Sequence, residues 1–367
     1  MDLYLVGAPN WNFYCLVKKL MKLTVQLVVW NGEKYIPYLF ESLKKQTFKD
    51  WNLLILDNGS TDNTVNLVKK ELNNLSVQNV LIESKTNIGF ANGHNFLYTK
   101  NDSEYILLLN QDMYLEEGCF AKLVEYLDKN NKVSSAIPRL MQWKFGEIKK
   151  GFENSLSENI DTLGLKVFKS RRVVDLYTGQ NWQEVKNNFV GKEINEVFGV
   201  SGALPIYRIN ALKAVEENGL IFDNLFGSYK EDVDLAFRLC SAGFDSVVVL
   251  DAIAYHDRSG AGPKDYSDKS AVKNKKNQPA YISYQSYKNH LIVLLKNEPW
   301  QNFLLDFIWI SCYESKKFLY YLLLDRKNLK GLIDIYKNIK IIFSRRKEIK
   351  QKRKLNWREM RKKVKSL

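Results

Sequence analysis

Four cysteines, seven prolines and three histidines are few for a chain of 367 residues. Cys15, Cys119, Cys240 and Cys312 lie far apart, with no CxxC and no ligand spacing. A disulfide framework is therefore excluded, and reduced thiols of a cytosolic protein are the economical reading. No run of about 18 uncharged apolar residues occurs, which excludes a membrane-spanning helix. The start has no charged-then-apolar leader pattern. No GxGxxG succeeds the first apolar run and no GxxxxGK[ST] occurs, which argues against a nicotinamide fold and a P-loop.

What is present is a large apolar share, 45%, and a net charge of +14. That content can bury one large core, or one domain with an appendage. The charge is uneven: twelve Lys/Arg and two Glu between Arg345 and Lys365 carry +10, and the rest of the chain only +4. A nucleic-acid binder would be basic throughout and would interleave aromatics with its charge, so that class ranks last. A basic tail of this kind suits an anionic surface. Residues 1–20 look unlike the rest of the chain, and Met21-Lys22-Leu23-Thr24 would open a strand cleanly. The expectation is a loosely held extension over 1–21, or a native start at Met21.

Leu23 to Val29 is a short β-branched apolar run ending in Trp30-Asn31-Gly32, a strand and a turn. Tyr35, Ile36, Leu39, Phe40 and Leu43 come next at helical spacing. Leu53 to Leu56 ends in Asp57-Asn58-Gly59-Ser60-Thr61-Asp62. Val80 to Ile82 precedes Asn87-Ile88-Gly89-Phe90-Ala91-Asn92-Gly93-His94-Asn95. Tyr105 to Leu109 ends in Asn110-Gln111-Asp112. Four apolar runs alternating with helical stretches predict a parallel, doubly wound α/β sheet. Ligands of such sheets bind outside the carboxyl ends of the strands, so Asp57, Asn87, Asn110 and Asp112 are expected to converge on one crevice. Asp57 could hold a ribose or a base edge, or cap the turn before the Thr64 helix. Asn110 and Asp112 could serve a divalent cation bridging a diphosphate, or end a strand in a turn.

Gly227 to Arg238 sets three carboxylates, Glu231, Asp232 and Asp234, at the start of an amphipathic helix that Gly243 stops. Carboxylates there complement the helix dipole, which is a purely structural reading. A second apolar run, Val247 to Leu250, leads to Tyr255-His256. A carboxylate at a helix start and an imidazole after the next strand can face one cleft.

Taken in order, Leu27-Val28-Val29-Trp30-Asn31-Gly32, Leu56-Asp57-Asn58-Gly59-Ser60-Thr61-Asp62, Asn87-Ile88-Gly89-Phe90-Ala91, Leu109-Asn110-Gln111-Asp112 and Glu231-Asp232-Val233-Asp234-Leu235 with Arg238 resemble the successive signatures of family 2 glycosyltransferases. The Asn87–Asn95 block, Asp161-Thr162-Leu163-Gly164-Leu165 and Tyr287-Lys288-Asn289-His290 are similar to that family's bacterial rhamnosyltransferase-like branch. The resemblance runs from about 22 to 300. It implies a GT-A fold and inverting transfer of a sugar from a nucleotide-diphosphate donor. It implies Asp232 as the catalytic base, and Glu231 and Asp234 as acceptor-binding or helix-ordering residues. Trp30, Asn31, Glu33, Asp57, Asn58, Asn87, Gly89, Asn110 and Gly202 become nucleotide-sugar-binding. Asp112 and His256 become the metal ligands, with Asn110 standing where the family often has a first Asp. Mn²⁺ or Mg²⁺ is the implied ion, the imidazole tilting the choice towards Mn²⁺. Ser201-Gly202-Ala203 either lies under the donor sugar or forms a tight turn.

The expected organisation is an extension (1–21), a GT-A domain (22–299), and a C-terminal part (300–367) of amphipathic helices and polybasic tail. Trp300 to Leu324 is rich in aromatic and apolar residues at helical spacing, which suits helices lying on a bilayer, or else a helical cap on the domain. The reading is therefore a cytoplasmic enzyme held at the inner face of the plasma membrane. It would move a sugar, rhamnose from dTDP-rhamnose, to a glycan or undecaprenyl-linked acceptor in cell-surface polysaccharide synthesis. The competing reading is a non-catalytic nucleotide-sugar or glycan-binding module on the membrane.

Overall fold

The computed structural model describes residues 21–258 and 279–366. The expected N-terminal extension, with Cys15, lies outside the described residues. β1 (Leu23–Val29), α1 (Ile36–Lys44), β2 (Trp51–Asp57), α2 (Thr64–Leu72), β3 (Asn79–Glu83), α3 (Phe90–Tyr98) and β4 (Tyr105–Asn110) alternate as the periodicity predicts. β1 pairs in parallel with both β2 and β4, and β2 with β3, giving the order β3-β2-β1-β4. The chain thus leaves β1 in one direction and returns on its other side. That reversal opens a crevice at the carboxyl ends of β1 and β4. Buried on both faces, β1 and β4 are almost wholly apolar, as a central parallel strand requires.

Beyond β4 the sheet becomes mixed. β5 (Met113–Leu115), α4 (Cys119–Lys129), β6 (Val133–Trp143), α5 (Phe152–Ser155), β7 (Leu156–Thr162), β8 (Leu165–Val167) and β9 (Val173–Asp175) come next. After them come α6 (Trp182–Val185), β10 (Ile194–Val197), β11 (Ile206–Arg208), α7 (Ile209–Val215), α8 (Glu231–Ser241) and β12 (Asp245–His256). β11 runs antiparallel between β4 and β6, while β6 and β12 are parallel. A register shift between Val249 and Ile253 bends β12, whose last residues then pair with β5 as His256 opposite Met113. That bend delivers His256 to the loop carrying Asp112.

α8 ends as its sequence demands. Gly243 takes φ +85°, its N–H donates to Cys240 O at 3.0 Å, and Phe244 N–H reaches Leu239 O at 3.2 Å. This double bond satisfies the helix's last carbonyls, and a side chain at 243 would oppose it.

The C-terminal helices are α9 (Ala280–Asn297), α10 (Trp300–Leu305), α11 (Phe307–Leu324), α12 (Lys330–Lys337), α13 (Ile339–Lys352) and α14 (Trp357–Ser366). No helix of the described residues is long and apolar enough to cross a membrane. The stretch expected as a polybasic tail is folded onto the domain. Ile342 of α13 and Met360 and Val364 of α14 share a buried cluster with Phe226, Phe237 and Cys240. Its cations are used internally as well. Arg346 donates to Leu295 O and Glu298 O, Arg353 to Asn297 O, and Lys363 to Asp245. Each apolar side chain buried here contributes on the order of 1.5–3 kcal/mol, so removing 345–367 would unpack the core rather than trim a free tail.

Candidate active site

The crevice at the carboxyl ends of β1 and β4 is an open cleft of about 1150 Å³. Its floor comes from the loops after β1, β2, β3 and β4, one wall from the start of α8, and its rim from the first turns of α9. Asn110-Gln111-Asp112 does more than offer ligands. The Gln111 side chain accepts from Trp30 N–H at 2.9 Å and donates to Trp30 O at 3.0 Å, clamping the β1–α1 loop. A Cβ on Gly32 would sit 2.3 Å from Gln111 Oε1, so the clamp requires glycine there. Trp30, half-exposed, is left facing the cleft.

Asn58 and Asn87 meet at 3.1 Å, and Asn58 Oδ1 accepts from Ile88 N–H at 2.9 Å. With Gly89 they line the cleft. Gly227 O accepts from Ala91 N–H at 3.0 Å, which ties this loop to the approach of α8. Three of the expected donor-site residues do not line the cleft. Asp57 is buried, and both of its oxygens accept from Ser60 N–H, at 3.2 and 3.3 Å, so it caps its own turn. Asn31 accepts from Thr61 N–H and Glu33 from Asn63 N–H, bracing the β1 and β2 loops against each other.

The acidic helix divides its carboxylates between two sides. Tyr229 and Lys230 both take left-handed backbone, φ 68° and 70°, and place Glu231 and Asp232 in the cleft wall. Strained backbone at two successive non-glycine residues persists only where its surroundings fix it. Here the Asn289 side chain of α9 donates to Phe226 O, Ser228 O and Tyr229 O at 2.7–3.0 Å. Asp232 Oδ2 accepts from Gly202 N–H at 3.1 Å, which brings the Ser201-Gly202-Ala203 segment under the same carboxylate. Burial raises the pKa of Asp232. Burial, and then the neighbouring Asp232, push Glu231 up to about 8.

Asp234, expected at the acceptor, points the other way. It is buried, with Oδ2 accepting from Arg238 Nε at 2.9 Å and Lys296 Nζ at 3.1 Å and Oδ1 from Asn297 at 2.8 Å. Two residues along a helix turn a side chain by about 200°, so 232 and 234 cannot both face the cleft. Asp234 orders the helix and does not line the cleft.

The pH dependence of Glu231 comes from its raised pKa. Below its ordinary value near 4.5 the folded form carries no penalty, and stability falls as pH rises towards 8. Thermal denaturation of wild type and Glu231→Gln should therefore coincide near pH 5 and separate by pH 8, the variant unfolding at the higher temperature. A constant offset across that window would remove Glu231 as the source.

Across the cleft, Asp112 Oδ1 stands 3.4 Å from His256 Nε2. His256 Nδ1 lies 2.9 Å from Asp161 Oδ2, and Asp161 is fully buried with Arg258 beside it. The carboxylate behind the far ring nitrogen fixes the ring and directs Nε2 at Asp112, so a cation bound at Nε2 would have to displace a proton. Burial opposes a charge on His256, but Asp112 and Asp161 outweigh it and raise its pKa to about 10. No group of three or more His, Cys, Asp or Glu that could hold an ion occurs among the described residues. Asp112 and His256 thus offer one oxygen and one nitrogen to the cleft. Such a pair fits a divalent cation bound together with a nucleotide. Sequence reasoning missed Asp161, Gln111 and Arg258 as members of this site. The signal for Asp161 was the Asp161-Thr162-Leu163-Gly164-Leu165 motif, which bears on the resemblance alone and gives Asp161 no role at the site.

Comparison with known proteins agrees with this architecture. Residues 24–176 match the family described as Glycosyl transferase family 2. The teichoic acid poly(glycerol phosphate) polymerase of Staphylococcus epidermidis is 29% identical over 116 residues, 32% of this chain and 16% of that protein. The O-antigen chain rhamnosyltransferase RfbN of Salmonella typhimurium is 28% identical over 125 residues, 34% of this chain and 38% of that one. The chain therefore covers well under half of these relatives. A crystal structure of GalNAc-T7 with UDP, GalNAc and Mn²⁺ superposes with a TM-score of 0.53 at 12% identity, covering 76% of this chain and 49% of that one. The mostly parallel sheet with its crevice at the β1/β4 reversal, and the match over residues 24–176, make this part of the chain similar to glycosyltransferase family 2, on a fold of the GT-A type.

Proposed function

We propose that the chain is an inverting glycosyltransferase that takes a hexose from a nucleotide-diphosphate donor, dTDP-rhamnose first among them, and adds it to a hydroxyl of a cell-surface glycan. The observation that carries this reading is the placement of Asp232 opposite the Asp112–His256 pair across one cleft. Inversion is a single in-line displacement: the acceptor oxygen forms a bond to the anomeric carbon as the bond to the diphosphate breaks. Asp232, with a raised pKa and an N–H from Gly202 fixing one oxygen, is suited to take the acceptor's proton. Glu231 lies beside it in the cleft wall and would meet the acceptor. Trp30 offers a face for the base, while Asn58, Asn87 and Asn110 offer polar groups along the floor for the nucleotide and its ribose. Asp112 and His256 would hold Mn²⁺ or Mg²⁺, and Asp161 would hold the imidazole in place. A bound divalent cation would neutralise charge building on the leaving diphosphate. The O-antigen chain rhamnosyltransferase among the relatives supports both rhamnose and a polysaccharide acceptor.

Release of nucleotide diphosphate from dTDP-, UDP- and GDP-sugars, with Mn²⁺ or with chelator, tests this directly. Chelator-sensitive release from dTDP-rhamnose alone is the expected result. Release from a different donor would change the sugar and keep the class. Neither release nor metal-dependent nucleotide binding with any donor would favour a non-catalytic binding module.

A further inference from the structure

α11 has two opposite sides, one packed on the domain and one, apolar, that none of the described residues covers. Ile310, Glu314, Lys317 and Tyr321 recur every three or four residues and face α9. There Glu314 pairs with His290 at 2.7 Å, Tyr321 packs on Tyr287 with ring centroids 4.6 Å apart, and the Lys317 ammonium sits over the Tyr287 ring. Half a turn away, Ile308, Cys312, Ser315, Leu319 and Leu323 form a second stripe that none of the described residues covers. Ile308 is 73% and Leu323 71% exposed. Trp309, at 60%, and Trp300 and Leu304 of α10 extend the same kind of surface. Among the described residues, eleven of the twenty-two exposed large apolar side chains lie between 300 and 324. A surface this apolar on a folded domain marks an interaction site.

The charge around it has one sign. Of the exposed charged side chains from 300 to 364, eleven are basic and one, Glu359, is acidic. Among the acidic residues that are not exposed, several are engaged by partners. Asp306 is bound by Arg171 and Arg361, and Asp334 accepts from Tyr284. On this apolar, tryptophan-bearing helix pair and the turn after it, the exposed charges are Lys316, Arg326, Lys327 and Lys330, and no exposed acidic side chain lies between 300 and 330. We propose that the outer face of α10 and α11 docks on an anionic lipid surface, lying in the headgroup plane without crossing it. Tryptophans favour that interfacial depth and basic side chains favour an anionic leaflet. Tyr321 of α11 packs on Tyr287 of α9, whose first turns line the cleft with Tyr281, Ile282 and Ser286. Docking on this face would hold α9, and with it the cleft, one helix layer from the membrane, within reach of an acceptor carried on a lipid. The acceptor's location rests on the functional reading above, whereas docking itself rests only on the apolar and basic surface.

The test is flotation of the full chain with vesicles of phosphatidylcholine alone, or with about one-third phosphatidylglycerol. Binding to the anionic vesicles, weakened by high salt, is expected. So is quenching of tryptophan fluorescence by brominated lipid that disappears in Trp300→Phe/Trp309→Phe. Ile308→Glu/Leu323→Glu, both at exposed positions, should lower partitioning by about tenfold or more, with thermal stability and nucleotide binding unchanged. Wild-type binding that the double variant retains would overturn the proposal, as would absence of binding to either vesicle. A chain that is oligomeric in solution and becomes monomeric in the double variant, without vesicle binding, would make this face a contact between copies. Flotation uses neither donor nor acceptor, so its failure is distinguishable from failure of the donor panel.

Discussion

Asp232→Asn is expected to lower sugar transfer by about 10²–10⁴-fold while leaving nucleotide affinity within a factor of about two. The substitution keeps the side chain's size, and its carbonyl oxygen can still accept from Gly202 N–H, now at 3.1 Å from Asp232 Oδ2. What the amide cannot do is take a proton from the acceptor hydroxyl. The Asp112–His256 pair and the Asn58–Asn87 floor are untouched, so donor binding should survive. The measurement is steady-state transfer beside calorimetric titration with nucleotide diphosphate. Full activity in the variant would remove Asp232 as the base and leave Glu231, the adjacent cleft carboxylate, to be tested as Glu231→Gln.

The largest stability effect is expected at Lys296. Its side chain is 0% exposed and its ammonium contacts Glu217 at 2.8 Å, Asp223 at 2.7 Å and Asp234 at 3.1 Å. Arg238 and Arg345 supply the other two positive charges of the cluster, on Asp234 and Asp223. Three cations thus balance three carboxylates with almost no water. Lys296→Met leaves one buried negative charge uncompensated, which costs roughly 3–5 kcal/mol. Thermal denaturation near pH 7 should show the midpoint lower by about 10 °C. Burial alone would raise the pKa of Asp234, but Lys296 and Arg238 hold it below the usual range. The stabilising contribution is therefore present above the unfolded value near 3.8 and is lost as pH falls below it. The gap between wild type and variant should narrow in acid. Adding Asp234→Asn to Lys296→Met should recover part of the loss, because it removes the orphaned charge. An unchanged midpoint in the single variant would show that the cluster contributes nothing net. The cluster joins α9 to the helix bearing Asp232, so the C-terminal helices help to hold the acidic motif in place.

The amino-acid sequence by itself determined the parallel half of the sheet and the crevice. Strands β1 to β4 are short, apolar and separated by helical periodicity. Each motif sits where a strand must end, so local pattern and chain order suffice. The helical start at Glu231 and its stop at Gly243 were equally local. Only the tertiary structure decided which side chains face the cleft. Asp57 and Asn58 are neighbours at one strand end, yet Asp57 turns onto Ser60 while Asn58 reaches Asn87. Asp232 and Asp234 share one helix turn, and the long-range partner Lys296 determines where the second one points. Asp161 becomes the support of His256 only because β12 bends across β6 and β7. The basic C-terminus was readable as charge. Its folding onto the domain was not, because Ile342, Met360 and Val364 find their partners more than a hundred residues upstream, in Phe226 and Phe237. Composition reports the charge of a segment, whereas contacts distant in sequence determine which of those charges remain at the surface.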